Sequence, residues 1–332
     1  MQAIICLQFM TEKEVGHGED APPILIVRDG AYAVGVFDGM GGAGASTCDS
    51  AWGEVTKAFV ASRIIKDAVQ TFLVDNLDIN EIAAGDLKEV VTKRLKEEQE
   101  KFPPKNRSLL RSKLVREYPT TMALITLREI ESKLLVDSYW AGDSHCYLWI
   151  KEGFFQISKD DLEEDNDPMK NLHNDSPISN CICADRDFFI HHKQIEIAKE
   201  PVVILCATDG CFGYYQTPMH FEHMLKKCLN KARDEKKWEE EIEQSIQKVT
   251  GDDTSLSLIG VGFDSFEKFR NVMTSKSVSS VKRINDLEGE MKNLKAKWEK
   301  KTDEYERAIK AGWEGYKQKY MRYLNDEENA DV

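Results

Sequence analysis

Carboxylates set beside glycines dominate the chemistry of this sequence. Glu19-Asp20, Asp38-Gly39-Met40-Gly41-Gly42, Gly142-Asp143-Ser144, Asp209-Gly210 and Asp252-Asp253 each border an apolar, strand-like run. That placement puts a carboxylate where a strand leaves its sheet, and glycine lets the backbone come close to a ligand. Aspartate with a main-chain carbonyl is hard oxygen ligation, suited to Mg2+ or Mn2+. Carboxylates crowded together raise one another's pKa values unless cations neutralise them, so the set reads as a metal site. A lone Asp29-Gly30 is a turn, but that reading weakens for Asp38, which two further glycines follow, and weakens again when several such sites share one chain.

A covalent nucleophile is not expected. Cys206 and Cys211 flank Asp209-Gly210, yet no Cys-x5-Arg phosphate cradle surrounds either, and both read as packing residues. The eight cysteines are scattered; Cys181 and Cys183 form a C-x-C pair too isolated for zinc. They read as reduced thiols in a cytoplasmic protein.

The elements that must position these residues follow from apolar runs and turn signals. Residues 3–8 and 24–27 read as strands, Arg28-Asp29-Gly30 as a hairpin turn and 32–37 as the returning strand. A glycine-rich loop over 39–44 leads into a helix expected over 45–65. A charged helix follows over 87–102, stopped by Pro103-Pro104. Strands return at 121–127, 134–141 and 146–150, with a turn at Lys151-Glu152-Gly153. The acidic stretch 160–175, broken at Asp167-Pro168, reads as an exposed flap. Strands at 188–197 and 202–207, a helix over 222–249 and a last strand over 254–263 complete a sandwich-like α/β arrangement.

The chain has 332 residues, 41% hydrophobic, and a formal net charge of -13, so it is a globular protein that repels nucleic acid phosphate. Its apolar runs are far shorter than the roughly 20 residues of a membrane span. Residues 1–10 have no basic start and read as a first strand rather than a signal peptide.

The tail is different. Over residues 277–324 there is no proline, and Ile284, Leu287, Met291, Leu294 and Trp298 recur at alternating three- and four-residue steps. After a polar break, Tyr305, Ile309, Trp313, Tyr316 and Tyr320 continue the stripe. This heptad-like spacing predicts a coiled-coil-like long helix or helical hairpin that packs on the preceding domain, pairs with a second copy or binds a partner protein.

The order of the acidic segments resembles the type 2C, metal-dependent protein phosphatases (the PPM family). Gly18-Glu19-Asp20-Ala21 is similar to their early Glu-Asp motif, and Val36-Phe37-Asp38-Gly39-Met40-Gly41-Gly42 to their Asp-Gly-x-Gly-Gly motif in its bacterial form. Thr120-Thr121-Met122-Ala123, Ala141-Gly142-Asp143-Ser144, Ala207-Thr208-Asp209-Gly210 and Gly251-Asp252-Asp253-Thr254-Ser255 resemble the four later motifs in the family's order. The resemblance covers roughly residues 1–263. It implies an α/β (α+β) fold, a four-layer α-β-β-α sandwich with central antiparallel β-sheets. The expected organisation is a catalytic domain over 1–265 and a helical extension over 276–325.

The resemblance also implies roles. Asp38 would bridge two Mn2+ or Mg2+ ions, with the Gly39 carbonyl on one of them. Asp209 and Asp252 would hold the first ion, with Asp253 as the fallback for Asp252. Asp20, and Glu19 through water, would help hold the second, and Asp143 with Asp209 would form the third site of many members. The ions share a hydroxide and direct it at the phosphorus of a phosphoserine or phosphothreonine protein substrate, neutralising phosphoryl charge as it reacts.

Three positions depart from the pattern. The phosphate-gripping arginine of many members is Val15 here, leaving His17, and after it Lys13, to contact phosphate; as a simpler role, His17 is a surface loop residue. Met40 stands where eukaryotic members often carry a histidine, and His145 stands where an arginine often follows Gly-Asp-Ser. These changes touch substrate grip more than metal binding. The leading reading is an active protein phosphatase. The alternatives are a catalytically weak regulatory or binding module acting through its tail, and a hydrolase of a small phosphoester.

Overall fold

The computed structural model describes residues 3–77, 82–102, 115–162, 169, 177–275 and 279–324. The chain divides into two compact units, residues 1–277 and 278–332.

The first unit is built on two five-stranded antiparallel sheets. One sheet has the order β1 (Ala3–Thr11), β12 (Thr254–Val261), β11 (Val202–Ala207), β8 (His145–Ile150), β9 (Gly153–Gln156). The other runs β10 (His191–Ala198), β7 (Lys133–Ala141), β6 (Met122–Ile130), β3 (Ala31–Val36), β2 (Ile24–Arg28). Side chains alternate faces along a strand, and here both faces are buried. In β3, Tyr32, Val34 and Val36 join Ile204, Cys206 and Ile259 of the opposite sheet in the central core. Ala31 and Ala33 face the other way, onto helices. Burial on both faces explains why these strands read as continuous apolar runs.

Helices cover each outer face. On the β3 side, α2 (Lys57–Asn76) and α3 (Ala84–Lys101) bury Val60, Ile64, Val69, Leu87 and Val91 against Ile24, Leu124 and Tyr139. On the β11 side lie α5 (Pro218–Lys231), α6 (Glu235–Gln247) and α7 (Phe266–Thr274), which bring Phe221, Leu225, Trp238, Ile242 and Phe269 onto Leu7, Trp149, Val203 and Leu258. Three apolar layers between four structural layers make the expected α-β-β-α sandwich. Two one-turn helices, α1 (Gly41–Gly44) and α4 (Asp209–Phe212), sit at strand exits.

Two helices differ from the sequence expectation. The helix foreseen over 45–65 does not begin at 45: a hairpin of β4 (Thr47–Ser50) and β5 (Gly53–Thr56) comes first. Gly53 turns it at φ +92°, a region glycine enters without penalty. Helix α2 then starts at its own cap, with Thr56 Oγ1 accepting the Phe59 N–H at 3.1 Å. The helix foreseen over 222–249 is two helices. Ala232 is extended, and Asp234 caps α6 by accepting the Lys237 N–H at 2.8 Å. The Pro103-Pro104 stop and most of the expected flap lie outside the described residues.

Among its described residues the second unit is built on one continuous helix, α8 (Ser279–Tyr320), of 42 residues. No turn interrupts it, so the hairpin alternative for the tail does not occur. Its apolar stripe is exposed: Leu294 is 63%, Trp298 67% and Tyr320 62% accessible. No helix among the described residues is long and apolar enough to cross a membrane.

Candidate metal centre

Both sheets present strand ends to one edge, and the acidic motifs lie there. Asp20 precedes β2, Asp38 and Gly39 follow β3, Asp143 sits in the β7–β8 turn, Asp209 follows β11, and Asp252 and Asp253 precede β12. The sheet register thus gathers residues scattered over more than two hundred positions.

Asp20 is fully buried and accepts a hydrogen bond from Thr208 Oγ1 at 3.0 Å. Asp38, Asp143 and Asp209 are half-buried. Asp38 lies within hydrogen-bond reach of both Asp20 and Asp209. Two carboxyl groups can hydrogen-bond only with a proton held between them. Burial, then the neighbouring Asp209 charge, pushes Asp20 up to about 8. Burial with the Asp20, Asp209 and Asp143 charges holds Asp38 well above the usual carboxylate range. Asp143 is raised by burial and by Asp209, and Asp209 by burial and by Asp252. Glu19 is raised by burial, partly offset by the Thr56 hydroxyl.

Gly39 and Gly210 are spatial necessities, because backbone fills the space beside them, and Gly41 leaves room for the Glu19 carboxylate. A Cβ on Gly41 would stand 1.8 Å from Glu19 Oε2, and one on Gly39 would stand 2.6 Å from the carbonyls of Glu19 and Ala58. A Cβ on Gly210 would lie 1.9 Å from the Asp253 carbonyl.

The two residues of the last motif separate cleanly. Asp253 accepts the Lys13 N–H on Oδ1 at 2.8 Å and the Glu19 N–H on Oδ2 at 2.6 Å. Both of its oxygens are occupied in holding the early loop. Asp252 is exposed; among the described residues its carboxylate accepts the adjacent Asp253 N–H, at 2.9 Å, and its charge acts on Asp209.

Several supporting residues were not singled out from sequence. Thr56 Oγ1 donates to Glu19 Oε1 at 2.5 Å. Thr121 Oγ1 donates to or accepts from Ser144 Oγ at 2.7 Å and accepts the Asp38 N–H at 3.3 Å. Arg63, on α2, donates to the Gly18 carbonyl at 3.2 Å and the Glu19 carbonyl at 3.4 Å, with Phe59 stacked beneath its guanidinium. The cap signal before α2 could have found Thr56; nothing local marks Arg63. His17, Lys13 and Val15 are exposed on the loop before Gly18, and Val15 is 92% accessible. His145 points away from phosphate work: its ring bridges Asp160 Oδ1 and Tyr147 Oη, both at 2.7 Å, and stacks on Phe212.

Among the described residues no group of three or more His, Cys, Asp or Glu is poised as a ligand shell. The donor set nonetheless fits hard divalent cations. Four or more carboxylates share one strand edge, burial penalises their charge, and glycines let a main-chain carbonyl approach.

The signature of one family, described as protein phosphatase 2C, matches residues 17–248. The chain belongs to the protein phosphatase 2C family. It is thus a protein serine/threonine phosphatase by family. Solved structures share the fold at low identity. The catalytic domain of the serine/threonine phosphatase PstP, in complex with two manganese ions, superposes with a TM-score of 0.51 at 15% identity, covering 78% of this chain and 97% of that one. Stp1 from Staphylococcus aureus gives 0.51 at 15% identity, covering 79% and 97%. A sex-determining protein of C. elegans gives 0.58 at 13% identity, covering 82% and 68%. No curated relative matches this phosphatase 2C chain by sequence.

Proposed function

We propose that this member is a metal-dependent phosphatase that hydrolyses phosphoserine and phosphothreonine in proteins directly, without a phosphoenzyme. The observation that carries this reading is the meeting of Asp20, Asp38 and Asp209 at one strand edge, each raised by burial and then by its charged neighbours. Asp38, Asp209 and Asp252 would hold one Mn2+ or Mg2+, and the Gly39 carbonyl would bind one of the two ions that Asp38 bridges. Asp38 and Asp20, with Glu19 through water, would hold a second, and Asp143 with Asp209 a third. Such ions, when bound, supply a nucleophilic water at neutral pH and offset phosphoryl charge. The manganese bound to PstP supports this assignment.

The chain's own residues do the rest. Thr208 orients the Asp20 carboxylate, Thr56 that of Glu19, and Thr121 fixes the Asp38 main chain. Asp253 and Arg63 clamp the loop that carries Glu19 and Asp20 from its two sides, through N–H and carbonyl groups respectively. Exposed His17 and Lys13 are available to donate to a substrate phosphate. Met40 cannot donate a proton to the leaving hydroxyl, so that proton comes from water. Phosphoprotein is the proposed substrate. The α8 helix is its oligomerisation or partner arm. All eight cysteines are free, which supports a reducing, cytoplasmic setting.

The deciding experiment measures phosphate release from a phosphothreonine peptide with Mn2+, Mg2+ or EDTA, for the wild type, Asp38→Ala and Asp209→Ala. Release that needs metal and disappears in both variants is expected. A folded wild type that releases nothing with either metal would overturn the reading.

A further inference from the structure

The exposed stripe of α8 has a symmetry that names its partner. The pairs Leu287–Tyr320, Met291–Tyr316, Leu294–Trp313 and Trp298–Ile309 share one midpoint, between Asp303 and Glu304. Read from either end, these eight positions follow the same steps; Ile284 mirrors Tyr323, and Tyr305 stands opposite Thr302 as the one unmatched residue of the stripe. Such a stripe is complementary to itself run backwards: position a of one helix meets position d of an antiparallel neighbour.

We propose that α8 pairs with α8 of a second copy of this chain as an antiparallel, two-stranded coiled coil centred between Asp303 and Glu304. A chain folded back on itself at that midpoint would satisfy the same symmetry. The helix, however, runs unbroken from Ser279 to Tyr320, so the matching half must come from another molecule. The inference is independent of the phosphatase reading.

Side-chain volume selects the direction. The first half of the stripe is aliphatic, through Leu287, Met291 and Leu294, and the second half is aromatic, through Trp313, Tyr316 and Tyr320. A parallel pair would set each aromatic residue against its own copy and each aliphatic residue against its own copy. The layers would then be crowded at one end and thin at the other. The antiparallel pair gives every one of the four layers one large and one smaller side chain, which is how facing positions fill space evenly. Trp298 opposite Ile309 follows the same rule.

Charge agrees with this register but does not decide it. In the antiparallel pair Glu288 flanks the partner's Lys317, and Glu290 flanks the partner's Lys319. Two-fold symmetry makes four such contacts, against two Lys295–Lys310 oppositions. A parallel pair would offer Arg283–Glu288 and Glu290–Lys295 contacts instead. Exposed ion pairs contribute little each, so the core sets the direction.

The test uses the full chain. Sedimentation at micromolar concentration is expected to give twice the chain mass, and Leu294→Asp to weaken that association at least tenfold with unchanged helix content. Direction is read by oxidation of single-cysteine substitutions, with the new disulfide mapped by peptide mass. An equimolar mixture of Leu294→Cys and Trp313→Cys chains is expected to cross-link, and Leu294→Cys alone is not. In the antiparallel pair the two copies of position 294 lie 19 residues apart along the rod, about 28 Å. A monomer at all concentrations, or self-cross-linking of Leu294→Cys, would overturn the proposal.

Discussion

Thr208 Oγ1 donates to Asp20 Oδ2 at 3.0 Å, although 188 positions separate the two residues. The same oxygen accepts the Ser255 N–H at 2.9 Å. One hydroxyl thus ties the end of β11, the start of β12 and the loop before β2 into a single edge. The site is a product of sheet register, and its weak points are the groups that lock that register.

Asp253 is one such lock. Asp253→Ala removes the acceptor of two main-chain N–H groups and is expected to cost about 2–4 kcal/mol of stability. Asp252→Ala removes an exposed carboxylate beside Asp209 and is expected to leave metal-free stability unchanged or slightly higher, while raising the Mn2+ needed for half-activation at least tenfold. Denaturant unfolding in EDTA, paired with a Mn2+ titration of activity, separates them. Equal stability losses would refute the division of labour.

Without metal, stability is expected to fall as pH rises. Asp20 moves from an ordinary 3.8 to about 8 in the folded protein, so between those values the folded state keeps a proton that the unfolded chain has lost. Stability therefore declines through that window, by at most about 1.4 kcal/mol per pH unit for each such group. Saturating Mn2+ is expected to flatten the slope, because the cation replaces the shared protons. Thermal melts at pH 5, 6.5 and 8 in EDTA check the sign.

Gly41 and Gly42 give a matched pair of substitutions. A methyl group on Gly41 would collide with Glu19 Oε2, whereas one on Gly42 meets nothing within 4 Å. Gly41→Ala is expected to lower kcat/KM at least tenfold with the fold intact, and Gly42→Ala to be within twofold of wild type. Steady-state rates on one phosphopeptide decide it.

Arg63 acts on the early loop through its carbonyls. Arg63→Ala is expected to raise the Mn2+ concentration for half-activation roughly 10–100-fold, as loss of a ligand-orienting contact does. Arg63→Lys should recover part of this, since one ammonium cannot span both carbonyls as the planar fork does. An unchanged metal requirement with a raised peptide KM would instead make Arg63 a phosphate contact.

The acidic motifs were legible because a glycine beside an aspartate at a strand end is a local pattern. The sandwich was legible because doubly buried strands are continuously apolar. What was hidden is non-local or quiet. The helix expected from residue 45 borrowed real helical spacing at Ala58 and Phe59 and extended it across the hairpin, whose signal is little more than Gly53. The break at Ala232 carries no proline or glycine, and charged residues continue on both sides of it. Arg63 cannot be found from sequence, because its partners, the Gly18 and Glu19 carbonyls, are some 45 positions away and carry no side-chain signature.

The pairing of β1 with β12, together with the grip of Asp253 on Lys13 and Glu19, bears on when this enzyme can first act during its synthesis. Asp20 leaves the ribosome early, but the strand and the carboxylate that fix its loop are made more than two hundred residues later. At roughly 5–20 residues per second that delay is of the order of tens of seconds. A nascent or prematurely terminated chain therefore carries most of the acidic motifs without a formed centre, and phosphate hydrolysis begins only after translation has passed β12.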